Sequence, residues 1–258
     1  MTTTQAQKIE KINYSDLLNE ALIGEGTISK CYSLFHRYSI QNQLLACKQL
    51  RMRGLDISPI NSFSGWNKLN RHIKKGEKAI SLWMPFNKKY IDKDDNKEKS
   101  YTYFVMKNNW FSLDQTTGED FKQEDIEINF NFDKVYHDFG IKLVKFDMVD
   151  GNVQGYANVA KKELVINPIA QHPEMTILHE VAHIALKHNT AEYDRSIKEV
   201  EAETVAYIIG SILKVDENQL KDSRGYIQLW LSNQALPEKN AKNIFTVANK
   251  ILKSGIKD

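Results

Sequence analysis

The chain has 258 residues, 41% of them hydrophobic, with 35 Lys+Arg against 33 Asp+Glu, which suits one large globular domain or two ordinary ones. This near-neutral balance excludes a wholly acidic DNA mimic, and no stretch reaches the roughly 18 consecutive apolar residues of a membrane span. The polar start, Met1 to Glu10, has no apolar segment of the kind a secretion signal needs, so a cytoplasmic protein without a membrane anchor is expected. Residues 1–118 carry 18 basic and 11 acidic side chains, and residues 119–258 carry 17 and 22. The balances, +7 and −5, sum to the overall +2 and predict two units, of which only the first suits a polyanion.

In chain order, Cys31 and Cys47 are too few for a disulfide framework and read as separate buried thiols in a reducing compartment. Helical periodicity runs from Thr27 to about Arg53, where Ile28, Tyr32, Phe35, Ile40, Leu44 and Leu45 share a broad apolar face and Gly54 suits the helix end. A short helix is expected near Ser64, carrying Trp66 and Leu69. Strands Ala79–Phe86 and Ser100–Leu113 follow, and the charged stretch Asn87–Ser100 between them reads as an exposed hairpin or loop. The turn-rich segment Thr116–Asp120 leads to a domain boundary near residue 125, giving domains 1–125 and 126–258. In the second, Lys142–Phe146, Val153–Ala157 and Glu163–Asn167 are expected as short strands. Helices follow at Pro173–His188, Ser196–Leu213, Gly225–Leu231 and Glu238–Lys253. Strands followed by helices make the fold class α+β.

The string Leu178-His-Glu-Val-Ala-His183 carries the chemistry. HExxH on a helix sets His179 and His183 one turn apart on one face, a spacing that grips one Zn²⁺. Glu180 then stands where it can take a proton from water that Lewis-acid activation makes acidic near neutral pH. A third ligand is sought among Glu199, Glu201 and Glu203. At about 100° per residue from Val205, Glu201 falls near −40°, inside the apolar face of its helix, Glu199 near +120° at the margin, and Glu203 near +160° outside. A carboxylate directed into a packed face is costly unless paired or metal-bound, which selects Glu201. Three protein ligands and an open position are the catalytic arrangement. Tyr193, His188 and Tyr226 are all open as transition-state donors, with His188 read as an exposed helix-end residue. The strand Lys162–Asn167 is expected as an edge beside the active-site helix, where a peptide substrate can pair by strand addition.

Residues 63–86 interleave Lys68, Arg71, Lys74, Lys75 and Lys78 with Trp66 and Trp83, a pattern that suits stacking and phosphate contacts along a single strand. Four stretches in this half, Phe35–Leu45, Phe63-Ser-Gly-Trp66, Lys74–Ile80 and Trp110–Gly118, resemble the N-terminal domain of ArdC-type antirestriction proteins. Leu178–His183, Glu199–Ala206 and Tyr226–Trp230 extend the resemblance over roughly residues 14–252. It implies an N-terminal single-stranded-DNA-binding domain of helices and antiparallel sheet, a C-terminal zincin-like metallopeptidase domain, and a gene on a plasmid or other mobile element. By match of motif, Arg37, Tyr38, Asn42, Trp66, Arg71, Lys75 and Lys78 are implied as DNA-facing; Asn42 can alternatively be a satisfied polar group inside the helix packing. Asn70 departs from the pattern, where a glycine is expected. The expectation is a DNA-transfer protein that binds single-stranded DNA, holds Zn²⁺ on His179, His183 and Glu201, and cuts an unidentified protein or peptide with Glu180 as general base. The alternatives are a DNA-binding protein whose zinc is purely structural, and a soluble peptidase that processes a regulator without DNA.

Overall fold

The computed structural model describes residues 13–94, 96–123, 126–148, 152–189 and 194–256; Tyr193 and the expected boundary position 125 lie outside them. The chain divides into two compact units, Cys31–Asp125 and Met1–Lys30 with Ile126–Asp258. This departs from the 1–125 expectation at the front of the chain. There, α1 (Tyr14–Leu22) starts at a capping box in which Asn13 accepts from the Asp16 N–H and Asp16 reaches back to the Asn13 N–H. Leu17, Leu18 and Ala21 are buried, and the Tyr14 and Ser15 amides donate to the Glu238 carboxylate at 2.7 and 3.1 Å. Nine residues give too short a periodic run to stand out in the sequence, and long-range contacts hold the helix.

The division falls inside α2 (Thr27–Phe35). The apolar run expected as one helix is two, because Ser39 adopts extended backbone and opens α3 (Ile40–Met52), while the Tyr38 carbonyl accepts from Gln43. That reversal brings Cys31 and Cys47 to a Cα separation of 6.6 Å, and they form a disulfide rather than two separate thiols.

Next come β1 (Ile60–Ser62), α4 (Phe63–Lys68), β2 (Arg71–Ile73), β3 (Ile80–Ile91), β4 (Glu98–Ser112) and β5 (Thr116–Gly118). The main sheet is antiparallel in the order β1-β4-β3, and β2 pairs with β5. An edge strand exposes unpaired backbone groups, and α3 satisfies some of those on β3. Asn42 accepts from the Trp83 N–H at 3.0 Å and donates to its carbonyl at 2.9 Å. Gln49 does the same at Ser81, at 2.9 and 2.8 Å. Trp66, Ile80, Leu82, Leu44 and Leu50 form part of the core beneath.

The other unit holds α5 (Phe132–Phe139), capped by Asn131 and closed by Gly140 in left-handed backbone. Strands β6 (Lys142–Leu143), β7 (Gly155–Asn158) and β8 (Glu163–Ile166) follow, then α6 (Pro173–Leu186), α7 (Arg195–Leu213), α8 (Glu217–Asn233) and α9 (Glu238–Gly255). The sheet order is β6-β8-β7, with β8 parallel to β6 and antiparallel to β7. The segment expected as the edge is therefore the central strand; both its neighbours hydrogen-bond to it, and β6 and β7 are the edges. From Val200 onward helix α7 is largely buried, with Val200, Ala202, Val205, Ala206, Ile208 and Ile209 fully enclosed. A Cβ at Gly210 would stand 2.7 Å from Met175 Sδ, so glycine lets α7 close on α6. No helix among the described residues is long and apolar enough to cross a membrane.

Candidate functional site

On α6 the two histidines turn their Nε2 atoms toward one another, 3.0 Å apart. From the first turn and a half of α7, Glu199 brings a carboxylate oxygen to 3.5 Å from His179 Nε2 and 3.6 Å from His183 Nε2. Among the described residues these three bring their ligand atoms within 4.8 Å of one another. Two nitrogens each about 2.0–2.1 Å from a tetrahedral zinc would stand about 3.3 Å apart, so the donor set fits a small divalent cation with little adjustment. Burial pulls the His179 pKa down, but hydrogen bonds to Glu199 and Glu203, and the charges of Glu203 and Glu180, more than offset it and hold it at about 10. Those hydrogen bonds, from His179 and then His183, draw the Glu199 carboxyl well below the usual range. The cluster thus favours positive charge among these atoms.

Glu180 shares a cleft of about 580 Å³ with His179, Glu199, Tyr226 and Gly155 of β7. Burial raises its carboxyl pKa, opposed by the two histidines and by a hydrogen bond from the Ala157 backbone. Tyr226, from α8, is 44% exposed, and its phenol is raised by burial and by Glu199 and Glu203. Of the three donor candidates it lines this cleft.

The other ring nitrogens are held from behind. His179 Nδ1 meets Glu203 Oε2 at 2.7 Å. His183 Nδ1 meets His188 Nδ1 at 2.8 Å, His188 Nε2 meets Glu201 Oε2 at 3.1 Å, and Asn240 of α9 donates to Glu201 Oε1 at 3.0 Å. Without a metal His179 favours its doubly protonated form; with the three imidazoles neutral, as a cation at Nε2 would require, the contacts fix one proton order. Glu203 accepts from His179 Nδ1–H; Glu201 accepts from His188 Nε2–H, whose Nδ1 then accepts from His183 Nδ1–H. Both Nε2 lone pairs are left facing Glu199. Two lone pairs at 3.0 Å repel unless a proton or a metal cation lies between them, and such outer hydrogen bonds orient metal-binding imidazoles.

Two sequence expectations change here. Glu201 is buried, at 3% exposure, but its partners are His188 and Asn240, and the carboxylate at the Nε2 pair is that of Glu199. His188 is not an exposed helix end; its side chain is 4% exposed, enclosed between His183 and Glu201.

The residues expected to face DNA separate into two groups. Arg37, Lys75 and Lys78 are exposed, and Arg37 borders a cavity of about 310 Å³ with Tyr38 and Phe121. Tyr38 is half-buried, set edge-on to Trp110. The others are committed to the fold. Trp66 is fully buried, donating from Nε1 to the Phe111 carbonyl at 2.8 Å. Asn42 holds the edge of β3, and Arg71 spends its guanidinium on Thr116 and the Glu119 carbonyl. Their partners are backbone and side-chain groups of the same unit, so a DNA-facing role does not fit Trp66, Asn42 or Arg71.

Residues 20–136 match the family model of the N-terminal domain of anti-restriction factor ArdC. Over this segment the chain carries an ArdC-type N-terminal domain. Among solved structures it resembles the antirestriction ArdC protein from the R388 plasmid in its metal-free form, with 14% identity, 93% of this chain and 95% of that one covered, and a TM-score of 0.53. The Mn(II)-bound form of that protein gives 16%, 93%, 96% and 0.54. No curated protein matches. The fold of this chain is therefore that of R388 ArdC over nearly its whole length. Reading the sequence alone overlooked Glu199, Glu203 and His188 in their roles here. The usable clue for the first two was their four-residue spacing, which aligns two carboxylates along one helix face; for His188 no local clue exists.

Proposed function

We propose that this chain is an antirestriction protein of a plasmid or other mobile element, acting in the cytoplasm, that binds single-stranded DNA through the unit Cys31–Asp125 and cuts a protein or peptide at a Zn²⁺ centre on His179, His183 and Glu199. The observation that carries the peptidase reading is the convergence of two imidazole Nε2 atoms 3.0 Å apart with the Glu199 carboxylate, beside Glu180 in an open cleft. The match of residues 20–136 to the ArdC N-terminal domain supports the antirestriction reading. A mixed nitrogen–oxygen donor set favours zinc over magnesium or calcium, and the Mn(II) in R388 ArdC supports a divalent cation in general.

When bound, the cation supplies Lewis-acid polarisation of a carbonyl and acidifies water. Around it, Glu180 accepts the proton of attacking water and returns it to the leaving amine. Glu203 and His188 keep the two imidazoles in the tautomer whose Nε2 lone pairs face Glu199. The Tyr226 hydroxyl is placed to donate to a developing oxyanion, and β7 offers its outer edge to an extended peptide.

The test is Glu180→Gln with zinc content measured beside cleavage of an unfolded protein such as casein. The variant should hold zinc at the wild-type ratio and lose cleavage by more than about 10²-fold. Cleavage at the wild-type rate would remove Glu180 from this role.

A further inference from the structure

In the main sheet, cross-strand partners share a face, and the register of β3 on β4 places residues 82, 84, 86, 88 and 90 opposite 107, 105, 103, 101 and 99. From Met84 outward most side chains on both strands are exposed, so the outer hairpin is a ribbon with both faces open. On the face just described, Phe86, Tyr103, Tyr101 and Tyr90 form an unbroken file with ring centroids 5.9, 6.0 and 5.9 Å apart. The three tyrosines are 42–48% exposed. Lys107 lies over the Phe86 ring at 5.4 Å, and Lys88 is paired across from Tyr101.

Charge distinguishes the two faces. Along the paired strands the face with the aromatic file carries Lys88, Lys99 and Lys107, and of these Lys99 is offset by Asp92 at the turn, leaving Lys88 and Lys107 beside the rings. On the opposite face Lys89 is offset by Glu98, 2.8 Å away. Exposed rings on a ribbon with no core to cover them mark an interaction surface. Rings interleaved with the cations of Lys88 and Lys107 fit a partner that is planar and anionic. The spacing narrows this further. Steps of about 6 Å are nearly twice the about 3.4 Å rise of a strand in duplex DNA, so bases seated on successive rings must be separated from one another. An unpaired strand permits that and a duplex does not.

We propose that this file is the platform on which unpaired bases of single-stranded DNA stack, with Lys88 and Lys107 at the phosphates. The inference rests on the single-strand reading above and adds where the strand lies: on the outer hairpin, away from Trp66, Asn42 and Arg71.

The experiment is a fluorescence-anisotropy titration of the full-length protein with a labelled oligothymidine of 12 nucleotides at several salt concentrations, with duplex as competitor. Tyr101→Ala/Tyr103→Ala should weaken binding by at least about tenfold and leave the salt slope unchanged. Tyr101→Phe/Tyr103→Phe should bind within about twofold of wild type, because stacking needs the ring and not the hydroxyl. Lys88→Ala/Lys107→Ala should lower the salt slope by about 1.4. All six replacements are at exposed side chains, and an unchanged far-UV spectrum verifies the fold. If wild type binds single strands and the alanine pair binds as well, the platform lies elsewhere and the single-strand reading stands. A phenylalanine pair as weak as the alanine pair overturns stacking. Wild type with no preference for oligothymidine over duplex overturns both readings.

Discussion

Replacing Glu201 by alanine removes a carboxylate that is 3% exposed and accepts from His188 at 3.1 Å and Asn240 at 3.0 Å. Two buried donors lose their acceptor, each costing about 1–3 kcal/mol. The metal-free protein should therefore lose about 2–6 kcal/mol. Glu199→Ala removes a side chain that is 39% exposed and should change metal-free stability by less than about 1 kcal/mol. Zinc affinity should reverse the order. Glu201 acts on the centre only through His188, so its loss should weaken binding by about 10–100-fold, whereas loss of Glu199 removes a ligand and should weaken it by more than about 100-fold. Denaturant titration of the metal-free variants, followed by competition with a zinc-sensitive chelator, reads both quantities. A Glu201 variant that is stable but zinc-free, beside a Glu199 variant that retains zinc, would refute the assignment.

Asn42→Ala removes both hydrogen bonds to Trp83 and should cost about 2–4 kcal/mol while leaving affinity for oligothymidine within about twofold, read by denaturation and anisotropy. Tyr226→Phe should lower kcat by about 10²-fold with KM nearly unchanged if its hydroxyl meets the oxyanion; steady-state kinetics on any cleaved substrate decides this. Asp138 is held below its ordinary pKa chiefly by the Ser254 hydroxyl at 2.7 Å and then by His137. A lowered folded-state pKa stabilises above the unfolded value of about 3.9 and is lost as pH falls through the folded value. Ser254→Ala should therefore lower the denaturant midpoint at pH 6 more than at pH 2.

Helices α6 and α7 were legible because long periodic apolar runs fix both helix type and buried face, and the four-residue histidine spacing fixes a shared direction. The third ligand was not. Helical projection marks which carboxylate is buried, and Glu201 is; it does not say what the neighbouring elements offer as partners, and His188 and Asn240 come from other segments. Similarly, interleaved basic and aromatic residues around Trp66 describe composition but not facing. Trp66 and Arg71 turn to the Phe111 and Glu119 carbonyls, while the charged stretch read as a hairpin or loop is the outer part of a long ribbon. The disulfide needed the reversal at Ser39, which a continuous apolar period conceals.

The central claim is that His179, His183 and Glu199 hold one cation. Crystals grown with zinc and measured on both sides of the zinc absorption edge test it most directly. The account predicts a single anomalous peak about 2.0–2.2 Å from both Nε2 atoms and from a Glu199 carboxylate oxygen. A peak bound instead to Glu201 or His188, or none in protein saturated with zinc, would contradict it.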